Sequence, residues 1–138
     1  MKIAKNFTIA ELTGTSITEM FANNILYALD HFNELNRLAQ FCEKVREILG
    51  VPMKITSGVR YEALNKKVGG VANSDHVKLL AVDFVPIKMT LKKAFDKIQN
   101  SSLDYKQLIL EKNSWIHISI GDKREKLVYD GKKYKKVL

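Results

Sequence analysis

Two histidines and one aspartate are the residues of this 138-residue chain best suited to chemistry: His76 and Asp83 in SDHVKLLAVDF, and His117 in WIHISI. Asp83 stands between Ala81-Val82 and Phe84-Val85, and a carboxylate in such an apolar run is costly to bury without compensation. Two imidazoles and one carboxylate supply three ligands for zinc and leave a fourth position for water. The metal-free alternative pairs Asp83 with His117 or with a backbone amide. Intervals of 7 and then 34 residues match no compact metal motif, so spacing alone leaves both alternatives open.

The elements that must carry these side chains are legible in outline. In WIHISI, period-two alternation puts Ile116, Ile118 and Ile120 on a core face and Trp115, His117 and Ser119 on the other. In AVDFV, Val82 and Phe84 share one face, and Ala81, Asp83 and Val85 the opposite one. Two central strands would thus present Asp83 and His117, with His76 arriving from the loop before Asp83. MKIT and KQLILE read as further strands, the latter joined to WIHISI by a tight Lys112-Asn113-Ser114 connection. Asp130-Gly131 between strand-like arms predicts a two-residue hairpin.

Helices are expected mainly before the strands. Thr8–Glu11 and Ser16–Glu19 both match the capping-box pattern. Leu26, Leu29, Phe32, Leu35, Leu38, Cys42, Val45 and Leu49 then form one apolar stripe on a long helix ending at Gly50. His31 lies off that stripe, facing solvent. YEALNKKVGG reads as a short helix stopped by Gly69-Gly70, and Thr90 caps another over TLKKAFDKIQN, after Pro86 halts the AVDFV strand. The fold class is α+β, a mainly antiparallel sheet with helices packed against it.

Length and composition fit one domain: 46% hydrophobic and 28% charged residues, no repeat and no linker. Cys42 is the only cysteine, which excludes disulfides within the chain and cysteine-based zinc sites. No apolar run is long enough for a membrane span. The start MKIAKNFTIAEL shows no secretory signal, so a cytoplasmic location is expected. Residues 122–138 carry a net +4, half of the chain's +8, which suits an anionic partner or a solvated tail. Nucleic acid is disfavoured as that partner, because no recognition motif accompanies the charge.

ITSGVRYEALNKKVGGVANSDHVKLLAVDF, followed by QLILE and WIHIS, resembles the zinc D-Ala-D-Ala carboxypeptidase family of phage and bacterial peptidoglycan peptidases, which shares its fold with the hedgehog signalling domain. The matching positions are Ser57, Gly58 and Arg60; Leu64 and Asn65; Val68, Gly69 and Gly70; Ser74, His76 and Asp83; and Trp115, His117 and Ser119. NFTIAEL resembles the family's start, so the likeness spans about residues 6–120. It implies a zinc peptidase domain over residues 1–121, with residues 122–138 a basic hairpin or tail of the same domain. His76, Asp83 and His117 would be the Zn2+ ligands, the metal polarising the scissile carbonyl and lowering the pKa of water. Arg60 would face substrate, its fork suited to a carboxylate or developing oxyanion, unless it only braces its turn. Ser74 would either approach substrate or cap its loop.

Two departures stand out. Leu80 replaces a usual glycine four residues after the first ligand histidine, which would reshape the His76–Asp83 loop. Ser114 occupies the position of the acidic general base three residues before the second histidine, and serine cannot take that role near neutral pH. Glu111 resembles a glutamate of a phage-type subgroup and is the expected base; otherwise it is a strand-end glutamate paired with a lysine. The implied activity is hydrolysis of peptidoglycan stem peptides at a D,D- or L,D-linkage by a monomeric endolysin-like carboxypeptidase or endopeptidase. The competing reading is a non-catalytic wall-binding or phage structural module on the same fold.

Overall fold

A computed structural model describes residues 1–137. Six strands form one sheet in the order β3-β4-β6-β5-β7-β8, where β3 is Met53–Ser57, β4 Ala81–Pro86, β5 Gln107–Glu111, β6 Trp115–Ser119, β7 Glu125–Tyr129 and β8 Tyr134–Lys136. All neighbours run antiparallel except β5 and β7. A small β1–β2 ribbon (Lys2–Ala4, Phe7–Thr8) precedes the helices α1 (Ile9–Thr13), α2 (Phe21–Asp30) and α3 (Phe32–Leu49). The α4 helix (Glu62–Lys67) follows β3, and α5 (Leu91–Gln99) lies between β4 and β5. The α+β class with a mainly antiparallel sheet is as expected.

The alternation read from the sequence sorts the sheet into two faces. Val82, Phe84, Leu108, Ile116 and Ile118 are fully buried and join one core with Leu35, Leu38, Cys42, Val45 and Leu49 of α3 and Ala94, Phe95 and Ile98 of α5. Each of the larger side chains contributes about 1.5–3 kcal/mol by leaving water, so this face holds the sheet flat against the helices. The opposite face carries Asp83, His117 and Glu111. The connection 112–114 is tight because Lys112 and Asn113 both take positive φ (52° and 51°) and the Ser114 amide donates to the Glu111 carbonyl.

Four local expectations are corrected. The long helix breaks at His31, whose backbone is non-helical (φ −120°, ψ 47°), and His31 is half-buried with Nδ1 2.8 Å from the Tyr27 carbonyl oxygen. The break rotates α2 relative to α3, so Leu26, Leu29 and Phe32 of the predicted stripe are exposed while Asn24 and Ala28 turn inward. Thr8 forms its capping box with Glu11, but Ser16 caps nothing: a 3-10 turn over Thr18–Met20 starts from Ile17 without a side-chain cap. Finally, Tyr129 pairs with Tyr134, so the last hairpin turns through four residues, 130–133, rather than two. Asp130 closes that turn by accepting from the Lys132 and Lys133 amides, an alternative to the two-residue turn that the Asp-Gly pair alone suggests.

Candidate metal centre

Asp83 and His117 are direct cross-strand partners on β4 and β6, which fixes both side chains on the same face at adjacent positions. His76 reaches them from the loop after α4. One donor atom from each of the three lies within 4.8 Å of the other two. His117 Nδ1 is 2.8 Å, and His76 Nε2 3.3 Å, from the same oxygen, Asp83 Oδ1. Zinc arms of about 2.0–2.2 Å at tetrahedral angles set donors about 3.3–3.6 Å apart, so the spacing is of the right order.

The protonation of His76 decides what this cluster wants. Its Nδ1 lies 2.7 Å from the Gly58 carbonyl oxygen, which can only accept, so the proton sits on Nδ1. Nε2 then turns a lone pair toward a carboxylate oxygen at 3.3 Å. Two acceptors face each other there, and the contact is favourable only with a proton or a cation between them. A backbone carbonyl holding the far nitrogen is also the usual support of a zinc-bound histidine. Burial opposes ionisation of Asp83, but the hydrogen bond and charge of His117, joined by those of His76 whenever a proton occupies its Nε2, outweigh it and keep the carboxyl well below the ordinary carboxylate range. The donor set fits a divalent cation with nitrogen and oxygen ligands.

The support beneath this cluster is a chain of buried polar contacts. A Cβ on Gly58 would come within 2.3 Å of the Leu12 carbonyl oxygen, so only glycine lets this strand end lie on α1 while its own carbonyl holds His76. Asn24, fully buried, donates to the Thr13 and Val59 carbonyls and accepts from the Tyr61 amide. No sequence pattern singled it out; an asparagine on the inward side of an amphipathic helix was the available signal. The His76 loop is tied down by its own amide donating to Ser74 Oγ (3.1 Å) and by the Arg60 amide donating to the His76 carbonyl. Ser74 therefore caps the loop, and it also lines the adjoining cleft. The glycine missing at Leu80 is compensated one residue earlier: Leu79 takes the left-handed conformation (φ 58°) with its side chain buried in the core.

Arg60 lies against the cluster, Nη2 3.6 Å from Asp83 Oδ2. Its Nε donates to Ser57 Oγ and its Nη1 to Asn65 Oδ1. Gly70 is required there, since a Cβ would come within 2.1 Å of Asn65 Oδ1. A cleft of about 270 Å³ opens beside His117, bordered by Glu111, Ile109, Ser74, Lys106 and Tyr134. Glu111 lies on the His117 face of the sheet, two pairs along from the Ile109–His117 pair. Burial pushes its carboxyl upward, opposed in part by His117 and Lys112 and reinforced by Asp83. Ser114 is exposed and spends its hydroxyl on the Lys112 carbonyl within its own turn. Lys106, at the cleft edge, is held by Asp75 at 2.9 Å.

Histidine–carboxylate ligation with an open side is the donor set of hydrolytic zinc centres. The family model of Peptidase M15 matches residues 5–119, and the chain belongs to this family of zinc metallopeptidases. Among curated proteins none matches the chain. Among the described residues no helix is long and apolar enough to cross a membrane.

Proposed function

We propose that the chain is a zinc-dependent peptidase that cleaves the peptide stems of bacterial peptidoglycan, as a D,D- or L,D-carboxypeptidase or endopeptidase of the phage or prophage lysis type. Family membership and the meeting of His76, Asp83 and His117 support the zinc-peptidase part of the reading. The observation that carries it to catalysis is Glu111 in the same cleft as His117.

His76, Asp83 and His117 would hold the metal. Bound zinc supplies Lewis acidity toward the scissile carbonyl and toward the attacking water. Glu111 would take the proton of that water on a carboxylate oxygen and pass it to the leaving amine nitrogen. In the metal-free chain burial raises its carboxyl, the direction that general-base catalysis favours. Arg60 lies 3.6 Å from Asp83 Oδ2 and would offer its remaining N–H donors to a substrate carboxylate or the developing oxyanion. Ser74 holds the His76 loop and offers its hydroxyl hydrogen to substrate.

Serine at position 114, in place of an acidic base, favours a binding module without activity; Glu111 bordering the cleft favours the enzyme instead. Metal analysis of protein purified without added zinc should find about one zinc per chain, and the loaded protein should release peptides from purified peptidoglycan. Release of nothing from walls of several stem types would overturn the proposal.

A further inference from the structure

The family match ends at residue 119, yet the cleft does not. Tyr134, which belongs to the C-terminal hairpin, also lines it. The register explains how a residue two strands beyond β5 comes to the site. Trp115 pairs with Glu111, Glu111 with Tyr129, and Tyr129 with Tyr134, so these four form one rung across β6, β5, β7 and β8. Paired positions share a face, and this face is that of His117. The Tyr134 ring stacks on Tyr129 with centroids 4.4 Å apart and planes 28° from parallel. It remains 55% exposed although its orientation is held.

We propose that the C-terminal hairpin forms the substrate-facing wall of the cleft, with the Tyr134 ring a platform on which an extended peptide of small side chains lies as it enters the metal centre. The inference rests on the peptidase reading for the class of ligand. The rung supplies the physics: a planar apolar surface, already ordered by its stacked neighbour, gives contact area at little entropic cost. Alanine methyls and peptide planes suit such a surface, and the Ile109 and Val71 side chains extend the apolar lining. Glu111 stands in the same rung, so a peptide laid across Tyr134 passes the proposed base on its way to His117. Tyr134 is thus a positioning residue, acting on binding rather than on bond cleavage.

The test uses a soluble pentapeptide stem ending in D-Ala-D-Ala and the zinc-loaded full chain carrying Glu111→Gln, which removes the proposed base and preserves the ligand. Trp115, the only tryptophan and itself in the rung, reports binding by fluorescence. Adding Tyr134→Ala should weaken Kd about tenfold with zinc content and Tm unchanged, and Tyr134→Phe should recover most of the loss. In otherwise native enzyme, Tyr134→Ala should raise KM by a similar factor and leave kcat nearly as it was. Equal peptide binding by Tyr134→Ala and its parent, or a loss in Phe as large as in Ala, overturns the inference and leaves the peptidase reading standing. If the zinc-loaded native chain does not bind this stem, the inference falls; if it also releases nothing from walls of several stem types, the peptidoglycan reading falls with it.

Discussion

The two sides of the cleft are built differently. On the side of His76 and Arg60, nearly every polar group has a specified partner: Asn24 bridges α1 to the Val59–Tyr61 loop, Gly58 accepts from His76, and Asn65 and Ser57 hold Arg60. On the side of Glu111 and Tyr134 the contacts are cross-strand pairings and one stacked aromatic pair, with lysines projecting outward. Ligands that must deliver three donors to one point tolerate little displacement, so their side is over-determined by buried hydrogen bonds. Cross-strand pairs and a stacked aromatic pair offer surface rather than fixed donors. The family match covers the first side entirely and stops before the hairpin of the second.

Substitutions should separate the two sides by what they abolish. The largest effect is expected for His76→Ala or Asp83→Ala, which should eliminate stoichiometric zinc and hydrolysis together; retained zinc in either would break the assignment. Glu111→Gln should keep zinc and lower kcat by about 10²–10⁴. In the metal-free chain burial first, and Asp83 in addition, raise the Glu111 carboxyl above its ordinary value of 4.5, opposed in part by His117 and Lys112. The same shift has a stability sign. A carboxyl whose pKa is raised on folding favours the fold at low pH and loses that contribution as pH rises through the shifted value. Metal-free Glu111→Gln should therefore melt higher than the parent at pH 7, and a lower Tm would count against the burial argument.

Gly58→Ala should follow, acting from behind the ligands. Its Cβ meets backbone at 2.3 Å, so α1 and the His76 anchor must separate, weakening zinc affinity about 10–100-fold in a chelator competition. Asn24→Ala leaves two buried carbonyls and one amide without their partner and should cost about 2–4 kcal/mol in denaturant unfolding. On the other side, Lys132→Ala or Lys135→Ala should change stability by less than about 0.5 kcal/mol, since both are exposed. A loss there as large as at Asn24 would erase the contrast between the two sides.

Much of the ligand side could be read in advance because it depends on local periodicity. Alternation in AVDFV and WIHISI assigned Asp83 and His117 to one face, and burial of Val82, Phe84, Ile116 and Ile118 follows it. The caps at Thr8 and Thr90 are equally local. The helix stripe failed at Leu26, Leu29 and Phe32 because nothing between Asp30 and Phe32 announces a break; no proline or glycine stands there, and the turn is held by contacts between Tyr27 and His31. Asn24 was missed for a related reason: its three partners lie 11 to 37 residues away.

What the amino-acid order alone determined is which residues share a face and which could bind a metal, since side-chain direction in strands depends only on position parity. What the tertiary structure decided is the pairing of β4 with β6, which sets Asp83 opposite His117, and the insertion of β7 beside β5, which carries Tyr134 to the cleft. Strand partners are chosen by the burial of whole faces against α3 and α5, a property of the assembled core that no single segment carries.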